Sequence, residues 1–166
     1  DASLTPLEIE LEAQHYYATI KRDDFLVTNE LKLNLETIDK YINTNTQQEP
    51  LIIYGPSGSG KSSLMSKAIE LAQKHTTKKV SYRFVGATEN SATSMDILTS
   101  LLLEHDIDVR PINDSNEATP NLKNLIDKDN SEIFEKFSLK IYSHIENIKE
   151  QIVIFIDAVD QLFNAD

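Results

Sequence analysis

The feature that most constrains this chain is a glycine-rich run, Gly55-Pro56-Ser57-Gly58-Ser59-Gly60-Lys61-Ser62. It fits the pattern G-x-x-x-x-G-K-[ST] at every fixed position. The chain contains only 4 glycines, and Gly55, Gly58 and Gly60 all belong to this run. Glycine is needed where a Cβ atom would keep the backbone from wrapping closely around an anion. The run therefore predicts a loop whose backbone N–H groups bind phosphate oxygens.

The segments on either side of this loop support the same interpretation. Leu51–Tyr54 is a short, continuous apolar run, which is typical of a strand buried on both faces of a parallel sheet. After the loop, the spacing of Leu64, Ala68 and Leu71 indicates a helix to about Lys74. The N-terminus of such a helix directs free N–H groups and the positive end of its dipole at a bound anion.

The pattern also assigns roles to individual side chains. Lys61 is expected to reach the β- and γ-phosphates of a nucleotide, and the Ser62 hydroxyl is expected to ligate Mg²⁺. Two rival motifs fail: a hydrolase nucleophile elbow needs glycine at position 59 and a dinucleotide fingerprint needs it at position 63, and both positions hold serine. The expected nucleotide-binding residues are Gly55, Pro56, Ser57, Gly58, Ser59, Gly60, Lys61, Ser62 and Ser63.

A second candidate position lies at the end of another apolar run, Ile152–Ile156, which Asp157 follows directly. We expect Asp157 to hold the water shell of Mg²⁺ and Asp160 to orient the attacking water, because phosphoryl transfer depends chiefly on positioning and charge neutralisation. The alternative is that Asp157 only caps the strand and Asp160 is a solvated turn residue. The predicted catalytic residues are Lys61, Asp157 and Asp160, with Ser62 and Asp157 as the metal-linked pair.

Apolar periodicity predicts alternating helices and strands elsewhere. Two helices precede the loop. One starts at a capping box of Thr5 and Glu8 and carries an apolar stripe of Leu7, Leu11, Tyr17 and Ile20, and Tyr16 and Tyr17 are expected to pack in the core or against a helix. The other follows the face Leu31, Leu35, Ile38 and Ile42. A strand is expected at 80–85, and helices are expected at 97–102 and 134–148. On this strand, two roles stay open for Arg83: pairing with a carboxylate, or a role at the γ-phosphate. The predicted fold class is α/β: a three-layer, P-loop-type core with a parallel sheet of about three strands at 50–166, after a helical lead-in at 1–49.

Composition excludes several classes of function. With 16 Lys and Arg against 27 Asp and Glu, the net charge is −11, so general binding to nucleic acid or to anionic membranes is not expected. The segment 104–135 is especially acidic and is expected to be a solvated excursion. Cysteine is absent and the 4 histidines have no metal-ligand spacing. A cytoplasmic location is expected.

The loop and the run ending at Asp157 resemble the Walker A and Walker B elements of P-loop NTPases. The ending Asp157-Ala158-Val159-Asp160-Gln161-Leu162 is similar to the NACHT branch of the STAND NTPases. The segment 83–88 with Ser91 resembles the second-strand region of that group, and the lead-in with His15, Arg22 and Phe25-Leu26-Val27 resembles the stretch before its P-loop.

This resemblance implies a function and a set of ligands. It implies ATP or ADP with Mg²⁺, bound by a nucleotide-dependent switch in defence or signal transduction. It also implies further domains of the same chain and self-oligomerisation on activation. The backbone near Val27 would meet the adenine, although Thr28-Asn29 stands where the family often has Gly-Arg. Because a complete domain of this type has five core strands, the chain is expected to be the N-terminal part of one and to hydrolyse ATP negligibly by itself.

Two other functions stay open at this point. One is a turning-over AAA+-type motor or loader, although such motors more often have glutamate where Ala158 stands. The other is a non-catalytic scaffold that keeps the loop as a relic. A small-molecule kinase is a remoter option, since no acceptor-binding motif stands out.

Overall fold

The computed structural model describes residues 3–44, 49–106 and 151–162, which form an α/β arrangement. A 3₁₀ turn at Glu89–Ser91 precedes the helix Ser94–Glu104. The predicted helices before and after the loop, the helix near 97–102 and the strands near 80–85 and 152–156 are confirmed. The elements are α1 (Pro6–Asp23), α2 (Asn29–Asn43), α3 (Lys61–His75), β1 (Lys79–Phe84), α4 (Ser94–Glu104), β2 (Ile152–Asp157) and the one-turn α5 (Val159–Leu162).

Several predictions concern residues that the structure does not describe. The helix expected at 134–148 lies wholly outside the described residues, and so does most of the acidic segment 104–135. Its first residue, Glu104, is the last residue of α4.

The two strands pair in parallel. Lys79 lies opposite Ile152 at one end of the ladder, and Phe84 lies opposite Asp157 at the other. Val85 extends the ladder by one step, because its N–H donates to the Asp157 carbonyl at 3.3 Å. Asp157 therefore lies beside the carboxyl end of β1.

The core lies between the sheet and the first three helices. Helices α2 and α3 pack together through Ile38, Ile42, Leu64, Ala68 and Ala72, with Val153 and Phe155 of β2 against them. Helix α1 joins α3 and β1 through Ala18, Met65, Ile69 and Phe84. The opposite face of the sheet contacts α4. There Val85, the residue after β1, packs against Ile97 and Leu101. The lead-in helices are thus packed on the elements that carry the candidate site.

The run Leu51–Tyr54 is not a strand, so the prediction of a third, buried strand there is wrong for the described residues. Its side chains are exposed, Ile52 by 77% and Tyr54 by 91%. No backbone hydrogen bond joins the run to another described residue. An apolar run becomes a strand only where a neighbouring strand accepts its backbone hydrogen bonds, and β1 and β2 are hydrogen-bonded to each other.

The buried face of α1 also differs from the prediction. The expected apolar stripe included Ile20, and both Tyr16 and Tyr17 were expected to pack. Tyr17 does pack, with its ring centroid 5.0 Å from that of Phe84, but Tyr16 and Ile20 are exposed. The residues buried on α1 are Glu10, Gln14 and Ala18.

One ion-pair cluster on α3 predicts a pH dependence of stability. The carboxylate of Glu70 accepts hydrogen bonds from Lys67 and, at 2.8 Å, from Lys74. The Lys67 ammonium, and then that of Lys74, lower the pKa of Glu70 from 4.5 to about 2. Because the folded-state pKa is lowered, the contribution of Glu70 is present above about pH 4.5 and is lost as the pH falls towards 2.

Glu70→Gln is therefore expected to be less stable than the wild type at pH 6, and the difference should vanish near pH 2. Urea unfolding at a series of pH values measures this difference. The double variant Lys67→Gln/Lys74→Gln serves as the control, because it removes the partners and should flatten the profile in the same way. A difference between wild type and Glu70→Gln that stays constant down to pH 2 would contradict the assignment.

Candidate functional site

The glycine-rich loop takes backbone conformations that only glycine adopts readily. Gly58 has φ of 77° and Gly60 has φ of 85°, and left-handed backbone costs an L-residue roughly 1–2 kcal/mol. A Cβ atom at either position would meet no atom of the described part of the chain within 4 Å. The requirement for glycine at these two positions is therefore conformational and does not come from crowding inside the protein.

The loop leads directly into the N-terminus of α3, which is left open to an anion. Gly60 is the N-cap of α3, no side chain of a described residue caps the helix, and no acidic residue lies in its first turn. In contrast, α1, α2 and α4 begin at Thr5, Thr28 and Thr93, whose side chains accept from the backbone, and all three helices have an acid in the first turn. The unpaired N–H groups and the positive end of the α3 dipole are thus available to a negatively charged ligand.

Lys61 is the first residue of α3, and its ammonium group lies over the loop. Its Nζ donates to the Gly55 carbonyl at 2.7 Å and to the Pro56 carbonyl at 2.9 Å. Residues 55–59 are exposed, so a ligand can reach both the loop and the ammonium. Phosphate oxygens are stronger acceptors for this ammonium than the neutral carbonyls, because they place a negative charge opposite the positive one. The loop, the helix end and the ammonium together fit a phosphate group.

Asp157 and Asp160 lie on a tight turn at the carboxyl end of β2. Asp157 is the last residue of the strand and is partly exposed, which confirms its predicted place but does not test its metal role. Ala158, next in the chain, has φ of 59°, a conformation uncommon for a residue with a Cβ. This turn starts α5, on which Asp160 is exposed.

The structure brings β2 and α3 together. Phe155, two residues before Asp157, packs against both apolar clusters that α3 helps to build. Ser62 and Ser63 lie in the first turn of α3 and are half-buried. Val27 lies between α1 and α2 and is 66% exposed, and its role near a base stays a prediction.

Arg83 has a carboxylate partner, which is one of the two roles left open for it on this strand. Its Nη2 donates to Glu104 at 2.9 Å and its Nε donates to the Ser100 hydroxyl at 2.8 Å. The side chain is 1% exposed. These contacts to α4 give Arg83 a structural role.

Sequence reasoning missed a buried polar network between α1 and the end of β1. Gln14 and Glu10 of α1 bond to Phe84 and Thr88, respectively. The one signal in the sequence is the i, i+4 spacing of Glu10 and Gln14, a pair that can hydrogen-bond along a helix. Gly86, in the loop after β1, has φ of 74°, and a Cβ there would lie 3.3 Å from Gln161 Oε1.

Two negative findings apply to the described ranges. Within 3–44, 49–106 and 151–162, no three His, Asp or Glu side chains gather closely enough to hold a metal ion by themselves. None of the helices in these ranges combines the length and the apolar content needed to cross a lipid bilayer.

Comparison with known proteins gives one match. A family model described as an ATPase domain predominantly from Archaea matches residues 32–166, from within α2 to the last residue. This range contains the glycine-rich loop, α3, both strands and the turn after Asp157. No curated protein and no solved structure matches the chain.

Proposed function

Because the chain belongs to this family of ATPase domains, found predominantly in Archaea, we propose that it binds ATP or ADP together with Mg²⁺ at residues 55–63. The observation that carries the proposal is the open N-terminus of α3, without a side-chain cap or an acid, behind a loop with two left-handed glycines. Lys61 supplies the cation at the same place. An isolated helix end would be weak support, but here three independent features meet at one point.

The predicted site residues have separate roles in this proposal, in which the backbone near Val27 would meet the base. The backbone N–H groups of the loop and of the first turn of α3 hold the phosphates, and Lys61 neutralises part of their charge. Ser62 and Asp157 would hold Mg²⁺, which when bound neutralises charge on the phosphate oxygens. Asp160 would orient a water molecule. The exposed position of Asp160 and the partial exposure of Asp157 support these assignments.

We further propose that the domain acts as a nucleotide-dependent switch of the STAND, NACHT-like type within a complete three-layer core. Such a switch requires ATP and ADP to have different affinities for two conformations. Support comes from the packing of α1 and α2 on α3 and β1, since these helices would sense a change at the loop. Under this proposal the full protein is cytoplasmic, has further domains and self-associates when activated.

A turning-over ATPase is the second candidate, favoured by the family description itself. The two are distinguished by steady-state ATP hydrolysis of the full-length protein without any trigger. A switch should turn over slowly and keep its nucleotide through purification, whereas a motor should turn over continuously. Identifying the nucleotide that copurifies gives the most direct test of the switch.

Asp157→Ala is expected to remove most of the gain in ATP affinity that Mg²⁺ provides and to leave Mg²⁺-free affinity nearly unchanged. The physical reason is that a carboxylate linked to the metal acts only when the metal is present. Calorimetric titration with ATP in excess Mg²⁺ and in EDTA measures both affinities. Asp23→Ala, at the exposed end of α1, changes the net charge equally and should alter neither. Equal losses with and without Mg²⁺ would contradict the metal role of Asp157.

A further inference from the structure

Gln14 is hydrogen-bonded to Phe84, the last residue of β1, on the edge of the strand that faces away from β2. The side chain is 0% exposed, and its Oε1 accepts from the Phe84 N–H at 2.8 Å. Its Nε2 lies 3.4 Å from the Phe84 carbonyl oxygen, to which it donates. One side-chain amide thus contacts both backbone groups of a single residue, as an adjacent strand would.

The contact between Gln14 and Phe84 lies at the same register position of the sheet as Asp157. Phe84 is the register partner of Asp157, and its own N–H and carbonyl both bond to Gln14 on the side of β1 away from β2. The next residue, Val85, directs its N–H to the Asp157 carbonyl at 3.3 Å. The path from Gln14 to the backbone of Asp157 therefore runs across one strand.

A buried carboxylate fixes Gln14 in this orientation. Glu10, one turn earlier on α1 and 4% exposed, accepts from Gln14 Nε2 at 2.9 Å. Its two oxygens also accept from the Thr88 hydroxyl at 2.9 and 2.8 Å. Among the described residues, no buried side-chain nitrogen or oxygen lacks a hydrogen-bond partner, so the network is complete. Such networks favour a single arrangement, because breaking any member leaves a buried polar group unpaired.

The same network stabilises the loop 86–91, which contacts α5 through Gly86. Thr88 bonds to Ser91, and Ser91 accepts from the Gly86 N–H at 2.8 Å. Gly86 in turn faces the side chain of Gln161, on the turn that follows Asp157. Helix α1 thus fixes the end of β1 and the loop beyond it, and both adjoin the Asp157 turn.

We infer that Gln14, anchored by Glu10, is a positioning residue for Asp157 and sets how well that carboxylate engages Mg²⁺. The inference rests on the proposed function, in which Asp157 is linked to the metal. A metal-linked carboxylate must be held to within about 0.5 Å, and β1 is the described strand that pairs with β2. The lead-in helix is therefore part of the machinery of the site.

Gln14→Leu tests this inference, because it keeps a similar volume and removes both hydrogen bonds to Phe84. We expect the gain in ATP affinity provided by Mg²⁺ to fall about tenfold, near the lower end of the effect of removing outer-shell partners of metal ligands. Affinity for ATP in EDTA should stay at the wild-type value. A merely structural role would lower both affinities or neither, so the ratio of the two is the decisive readout.

Two further variants keep the test decisive. Thr88→Val removes the hydrogen bonds from Thr88 to Glu10 and leaves those of Phe84 in place. It should lower the ratio of ATP affinity in Mg²⁺ to that in EDTA, as Gln14→Leu does. If Gln14→Leu does not fold, Thr88→Val tests the positioning role by itself. Ser100→Ala is the matched control, because it removes a buried hydrogen bond to the neighbouring Arg83 and should leave the ratio unchanged.

The possible outcomes separate the two proposals. A wild-type ratio in Gln14→Leu and Thr88→Val, together with a lost ratio in Asp157→Ala, overturns the positioning role and leaves the proposed function standing. If Gln14→Leu or Thr88→Val lowers ATP affinity equally with and without Mg²⁺, the positioning role of Gln14 is overturned as well. If wild-type protein binds no ATP at all, the proposed function and the positioning role fall together.

Discussion

Replacing Lys61 with alanine is expected to lower ATP affinity at least about 100-fold while leaving the fold intact. A charge-assisted hydrogen bond contributes roughly 1.5–3 kcal/mol, so an ammonium that reaches two phosphates accounts for about 3 kcal/mol, and about 1.4 kcal/mol corresponds to tenfold. Among the residues that the structure describes, this ammonium bonds only to the Gly55 and Pro56 carbonyls, at the protein surface. Its loss should therefore cost little stability. Calorimetric titration with ATP and a thermal melt measure the two effects.

Lys67→Ala is the matched control for this prediction. Lys67 lies on the same helix and carries the same charge, but it pairs with Glu70 instead of facing the loop. Its replacement should leave ATP affinity within about twofold, since Lys67 lies more than one helical turn beyond Lys61 and charge attraction at longer range is screened by salt. If Lys61→Ala binds ATP as tightly as Lys67→Ala, the glycine-rich loop is not the phosphate site.

The loop could be predicted from sequence because each of its fixed positions meets a separate physical demand. The left-handed φ values of Gly58 and Gly60 are required by the loop itself and do not depend on distant parts of the chain. The helix after it could be predicted for the same reason, since Leu64 and Ala68 follow a local period. Local demands of this kind are visible in a single sequence.

The polar face of α1 could not be predicted, because its partners lie far away in sequence. Gln14 bonds to a residue 70 positions later, and Glu10 bonds to one 78 positions later. Periodicity identifies apolar stripes and assigns polar residues to solvent, so it placed Ile20 in the core instead of Gln14. Only tertiary structure shows that a buried carboxylate and amide have their hydrogen bonds satisfied.

The error at Leu51–Tyr54 has a different cause. Apolar composition states that a segment can be buried in a sheet, but a strand exists only where another strand accepts its hydrogen bonds. Ile152–Ile156 is also a continuous apolar run and does pair, because β1 lies alongside it. Composition alone could not separate the two runs.

Glu104→Ala is expected to destabilise the protein by about 3–5 kcal/mol, because it leaves a buried guanidinium without its charge partner. Arg83 is 1% exposed and Glu104 is 15% exposed. The remaining bonds of Arg83, to the Ser100 hydroxyl and the Tyr82 carbonyl, supply no negative charge. Urea unfolding at neutral pH measures the loss.

Arg83→Met provides the comparison that separates charge from packing. It removes the buried cation and keeps much of the apolar stem, and the carboxylate that remains is the more exposed partner. Its loss should therefore be smaller than that of Glu104→Ala, and the double variant Arg83→Met/Glu104→Ala should recover part of the stability, since removing both charges avoids an unpaired one. ATP affinity should be unchanged in Arg83→Met, because the guanidinium faces α4. A double variant less stable than Glu104→Ala would contradict this explanation, because the unpaired guanidinium would then cost less than its remaining contacts contribute.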